Sequence, residues 1–239
     1  MADAEGSLGL RERKKRETRL AISNIATRMF IERGFDRVTL AEVADEANVS
    51  VNTIFNYFST KEELFFDREA EVEDEPARII RERSVGESAV DALERHFLAS
   101  IAGKAGLLFK SSDSMLRFLR TVDESPALRA RQLVMIDKSE RALAAVLAGE
   151  AGRPPGDPTA RVVAAMMTGI LWMLVSEFRS RVLAGEPEKK VRASIAKLGA
   201  RSFEVLREGA GRYATKGAPR SPRRSARRSR LRAATVGRG

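Results

Sequence analysis

Val38-Thr-Leu-Ala-Glu-Val-Ala-Asp-Glu-Ala-Asn-Val-Ser-Val-Asn-Thr-Ile-Phe-Asn-Tyr-Phe-Ser-Thr-Lys-Glu-Glu-Leu-Phe65 packs three helix starts into 28 residues. Thr39 and Glu42 have the spacing of a capping box, in which each side chain satisfies an amide at the helix start. Leu40, Val43, Ala44 and Ala47 then line one helical face. Asn48 breaks the helix, because asparagine accepts positive φ at modest cost. Ser50 is an N-cap for a short third helix reaching Tyr57, and Thr60 with Glu63 opens a fourth. Upstream, Ile22, Ile25, Ala26, Met29 and Phe30 form the buried stripe of a first helix that ends at Gly34, a residue suited to a left-handed C-cap. Two short helices joined by a tight turn are the plan of a helix-turn-helix, centred on residues 39–58.

In that plan the second helix braces and the third enters the major groove. The third helix presents Val51, Asn52, Thr53, Asn56 and Tyr57 outward, with Ile54 and Phe58 inward and Phe55 free to go either way. Asparagine pairs with adenine edges, Thr and Val touch the thymine methyl, and hydroxyls reach phosphate. Lys61 adds a cation at the next helix start, where backbone N–H groups favour phosphate. Thr39 and Ser50 are placed to do the same or only to cap their helices, and Tyr57 has packing as its alternative.

The rest of the chain sets bounds. Its 239 residues are 43% hydrophobic and only 6% aromatic, enough for an all-α protein with an N-terminal helix-turn-helix domain and a larger C-terminal helical domain. It contains no cysteine, which excludes disulfides and thiolate metal sites. A single histidine, no Gly-x-Gly-x-x-Gly and no phosphate loop argue against an enzyme, and neither a metal nor a cofactor is expected. The N-terminus lacks the apolar core of a signal peptide and Val162–Val175 is short for a membrane span, so a soluble, cytoplasmic protein with no membrane partner is expected. The formal net charge is +10, and residues 212–239 hold ten Lys and Arg with no acidic residue, so the body is neutral overall. DNA binding by the body must therefore rest on its motifs. The Arg-rich tail is expected to be disordered, adding sequence-independent affinity through counterion release or serving only to solubilise.

The expected organisation is a disordered basic arm over 1–15, the helix-turn-helix domain over 16–76, a ligand-binding and dimerisation domain over 77–211 and the tail over 212–239. Residues 71–76 mark the end of the first unit or a loosening of the fourth helix, with a solvated acidic turn as the simplest reading. Helices are expected near 87–102, 105–121, 126–149, 158–184 and 188–208. The last two carry wide apolar stripes, Val162 to Phe178 and Val191 to Leu206, which suit a homodimer seam, a monomer core, or both at once. Phe97, Phe109, Met115, Phe118, Leu119, Met135, Met166, Met167 and Trp172 are candidates for an apolar cavity, with His96 or Arg117 as polar anchors; an ordinary core is the alternative.

The run 38–65, with Met-Phe-Ile-Glu-Arg-Gly-Phe at 29–35, resembles the DNA-binding domain of TetR-like transcriptional regulators over about residues 16–76. Gly34, Thr39, Val49-Ser50, Tyr57-Phe58 and Lys61-Glu62 fall at that family's spacings. The resemblance implies a homodimeric regulator, usually a repressor, that binds double-stranded DNA at a palindromic operator and is released by a small apolar or amphipathic effector. It implies phosphate contacts from Thr39, Ser50, Tyr57 and Lys61, and base contacts from Val51, Asn52, Thr53 and Asn56. Asn48 and Asn52 stand where the family often has glycine, and Phe55 stands for a frequent tyrosine, so base preferences do not transfer. A ligand-responsive activator, or a helical interaction protein with only non-specific affinity from its tail, are the alternatives.

Overall fold

A computed structural model of the protein describes residues 9–106 and 108–210; the expected tail and the first residues of the arm lie outside the described residues. Among these there are ten α-helices, one 3-10 turn and no β-strand. Helix α1 (Leu10–Arg33) buries Ile22, Ala26, Met29 and Phe30 and ends at Gly34, whose φ is 90°. Its first turns are exposed yet helical, so residues 10–15 continue α1 where a disordered arm is expected; Arg, Lys and Glu are good helix formers and the buried half supplies the nucleus. The 3-10 turn Phe35–Arg37 leads to α2 (Leu40–Glu46), α3 (Val51–Phe55) and α4 (Lys61–Phe65). Each of these short helices has a Thr or Ser N-cap: Thr39, Ser50 and Thr60 accept from the amides of Glu42, Thr53 and Glu63 at 3.2, 3.0 and 3.1 Å. Asn48, at φ 51°, is the one non-glycine residue with positive φ among the described residues.

Helix α5 (Glu69–Arg81) runs through the acidic stretch 71–76, so the expected turn and unit boundary at 76 fall inside a helix. Pro76 removes one backbone donor, but Ala77, Ile79 and Ile80 bury the same face, and that packing outweighs the lost bond. Helix α6 (Ala89–Ile101) follows Ser88, and α7 (Asp113–Glu124) follows Ser112. The latter starts later than the expected 105, because Gly103 and Gly106 both hold positive φ and the cap comes only at Ser112. The body is completed by α8 (Pro126–Glu150), α9 (Pro158–Leu183) and α10 (Glu188–Ala210); Pro126 and Pro158 stand at first helical positions, where a missing N–H costs nothing.

Helix α8 packs between α5 and α9, and α10 packs on α9 and α6. The body core holds Leu93, Phe97, Leu147, Met167, Phe178 and Phe203, and Phe97 lies so close to α10 that a Cβ on Gly199 would stand 2.2 Å from its ring. A second core joins α1–α4 through Phe30, Phe35, Val43, Ile54, Phe58 and Phe65. That core also takes Val122 from α7 and Leu128 and Met135 from α8, so the N-terminal unit is sealed by the body. Helix α9 is long and apolar enough to cross a membrane by length and composition, more than its 162–175 stretch alone suggests. Ten of its residues, including Val163, Leu171 and Leu174, are buried against the other helices, which accounts for its apolarity.

Candidate nucleic-acid interface

On α3, Ile54 and Phe58 anchor the helix in the core, while Asn52, Phe55 and Asn56 are exposed and Val51, Thr53 and Tyr57 are half-buried. Phe55, whose direction the sequence leaves open, points outward with 51% of its surface exposed. The first turns of α1 lie beside this helix, and Arg11, Lys14, Lys15 and Thr18 form a groove with Thr53, Asn56 and Tyr57. Three cations and one acid, Glu12, therefore stand next to residues expected to touch DNA. The spacing of Arg11, Lys14 and Lys15, one face of a helix once α1 is known to start at Leu10, is the signal that finds them.

Arg19, lower on α1, fixes the arrangement. Its guanidinium lies 4.2 Å from the centre of the Phe58 ring and donates to the Tyr57 carbonyl, tying α1 to the turn that follows α3. Thr39 and Ser50 are exposed at the starts of α2 and α3. Both are engaged in caps: Thr39 forms the full capping box with Glu42, and the Ser50 hydroxyl also pairs with that of Thr53 at 2.8 Å. Glu42 is further held by Arg33, and that ion pair, with the bonds from Thr39, keeps its carboxyl down at about 2 against an ordinary 4.5.

Lys61, expected to reach a phosphate, has a protein partner here. Its ammonium donates to the Phe35 carbonyl at 2.6 Å and lies 4.3 Å from the Phe35 ring centre, facing the head rather than the solvent. Burial pushes its pKa down. It ties α4 to the 3-10 turn.

A cavity of about 210 Å³ lies where head and body meet. Of the expected pocket residues, Met115, Phe118, Leu119, Met135 and Trp172 line it. Phe97 and Phe109 are packed in the body core, ring to ring at 5.4 Å, and Met167 is fully buried there. Met166 faces outward from α9, Arg117 is exposed on α7, and His96 lies 3.4 Å from Glu75 at the seam of α5 and α6. Phe65, Phe66, Asp67, Arg68, Gln132, Val175 and Arg179 line the cavity without having been singled out from the sequence. Phe118 stacks on Phe65 with ring centres 4.4 Å apart, so one wall of the cavity is also part of the head core. Two further links cross the same seam: Ser125 donates to Asp36 at 3.0 Å and Arg131 pairs with Glu63 at 3.1 Å.

Known proteins share both halves of this arrangement. The family model described as bacterial regulatory proteins, tetR family, matches residues 22–67, and that of the MftR C-terminal domain matches residues 113–185. HTH-type transcriptional regulator TcmR of Streptomyces glaucescens is 27% identical over 146 residues, 60% of this chain. The match spans 65% of the length of TcmR, slightly less than two thirds. A solved TetR-family transcriptional regulator from Mesorhizobium loti is similar in fold, with 18% identity and a TM-score of 0.51 over 81% of this chain and 96% of its own. SmeT in complex with triclosan is similar at 14% identity and a TM-score of 0.52, over 81% of this chain and 91% of its own. The reading head is thus similar to the tetR family of bacterial regulatory proteins over residues 22–67, and the helical body is similar to the MftR C-terminal domain over residues 113–185.

Proposed function

We propose that the protein is a cytoplasmic, ligand-released transcriptional repressor that binds a palindromic operator as a homodimer. The observation that carries this reading is the groove in which Arg11, Lys14 and Lys15 of α1 face Thr53 of α3 and Asn56 and Tyr57 at its C-terminal end. Cations hold phosphates without regard to sequence, and the exposed amides of Asn52 and Asn56 suit base edges; together they support a short helix reading a major groove. Occluding a promoter needs no further surface, which favours repression over activation.

One such head reads only a few base pairs, and two heads about 34 Å apart read successive groove faces. The surface of α9 and α10 supports a dimer through these helices. Val163, Met167, Leu171 and Phe178 are used up in the core, but Val162 on the other face of α9 is 59% exposed and Val205 on α10 is 60% exposed. Met166, Met173 and Leu198 extend this apolar face. An obligate interface built here would bury roughly 2,000 Å² or more.

The cavity is the candidate effector site, because its walls belong to both the body and the head. SmeT, a protein of the same fold, binds triclosan. Sedimentation and duplex titration test the proposal with Val162→Glu, a change at an exposed site that spares the monomer core. The variant is expected to sediment as a monomer and to lose about tenfold or more in operator affinity, since two linked heads bind far better than one. An unaltered dimer with unaltered binding contradicts the assembly.

A further inference from the structure

We infer that the cavity takes a ligand with a compact apolar body and one anionic head, a carboxylate or a group of like charge, and that this head engages Arg179 in competition with Asp123. This rests on the reading of the cavity as the effector site and specifies its chemistry.

The walls are largely apolar, with Phe66, Met115, Phe118 and Trp172 among them. Of the charged residues among them, Arg179 of α9 is the buried one. The residue is only 8% exposed, yet among the described residues Asp123 alone accepts a hydrogen bond from it, from a single nitrogen at 2.8 Å. A guanidinium carries five N–H donors in a rigid fork, and it stays charged in proteins. One monodentate partner leaves most of that fork without a protein acceptor, in a place where an incompletely paired charge is costly. That partner is itself half-exposed and so only weakly competitive. Burial acts against the charged guanidinium, lowering its pKa.

The other charged lining residues are engaged elsewhere. Asp67 accepts from Ser23, and Arg68 donates to Glu71. Arg68 keeps donors too, but its side chain is more than half exposed, so Arg179 is the buried cation that an anion entering the apolar space meets, and the anion completes a bidentate pair there. The Gln132 amide on α8 adds a neutral polar group to the same cavity.

The competition also explains how the ligand is felt by the head. Asp123 lies at the end of α7, next to Val122, which is part of the head core, and two residues before Ser125, which holds Asp36 in the 3-10 turn of the head. Drawing Arg179 away from Asp123 releases the end of α7 from α9 at the point where α7 touches the head.

Trp172 is the only tryptophan and lines the cavity, so its fluorescence reports occupancy in the full-length protein. The probes are 2-naphthoate and 2-naphthamide, which share a body and differ in charge. Naphthoate is expected to bind about tenfold or more tightly than the amide, the worth of one charge-assisted hydrogen bond. Arg179→Met is expected to bring the two probes within about twofold of each other, the charge-assisted part being lost. Asp123→Asn, which keeps the cation and weakens its competitor, is expected to bind naphthoate more tightly than the unaltered protein does. Equal binding of both probes, or a preference that survives Arg179→Met, overturns the anionic head while leaving the cavity as the effector site. No response of Trp172 to either probe overturns both.

Discussion

The head and the body are held together on opposite plans. The body uses helices of 23–26 residues whose apolar stripes close on each other, as in α8, α9 and α10. Beside the long α1, the head uses helices of five to seven residues, each too short to persist alone, held by caps, by a cluster of phenylalanines and by cations placed over rings. The head also borrows Val122, Leu128 and Met135 from the body to finish its core. A reading helix must leave its polar face free for DNA, so its stability has to come from its ends and its one buried side. The body has no such constraint, and it still leaves an apolar face exposed on α9 and α10.

Breaking the shared core is expected to have the largest effect. Phe65→Ala removes a fully buried ring that touches Phe30, Phe35, Phe66 and Phe118. It is expected to cost about 3–5 kcal/mol in urea denaturation, with head and body unfolding in one transition. Two separated transitions would mean that the head core is independent of the body. Gly199→Ala acts on the body instead. In an exposed helix this change stabilises by about 1 kcal/mol, but the Phe97 ring occupies the space, and a net loss of about 1–3 kcal/mol is expected. A gain in the thermal midpoint would show that Phe97 has room to move aside. The smallest effect belongs to the head caps. Because the carboxyl of Glu42 is held at about 2 rather than 4.5 in the folded state, its contribution is complete above about pH 4.5 and fades as pH falls toward 2. Glu42 lies at the surface, so the effect is small and weakens with salt. Glu42→Gln is expected to flatten that part of the stability profile, and an unchanged profile would remove Glu42 from the cause.

The head was legible because its signals are local. Thr39 with Glu42, Ser50, and Asn48 each act within three or four residues, and their spacing alone predicts α2, the turn and α3. Long-range effects were not legible. Pro76 and its acidic neighbours read as a turn, since nothing nearby announces that Ile79 and Ile80 will hold α5 against α8. Lys61 reads as a phosphate ligand, and nothing local announces the Phe35 carbonyl 2.6 Å away. Met115, Phe118 and Trp172 were within reach of sequence reasoning as cavity residues, whereas Phe97 and Phe109 are the same residue types placed in an ordinary core. Arg179 escapes notice because a lone cation among the apolar residues of α9 looks like a helix-surface charge until its burial is known.

The most direct test of the central claim is titration of the protein onto short duplexes from its own upstream region, at about 150 mM salt, since affinities mean little unless salt is fixed. Asn56→Ala and a form ending at Ala214 are measured alongside. The account predicts saturable binding to a palindrome, retained without the tail and weakened by about 1–3 kcal/mol in Asn56→Ala. Binding that ignores Asn56→Ala and disappears with the tail would contradict it, leaving the arginines of residues 220–232 as the DNA-binding element.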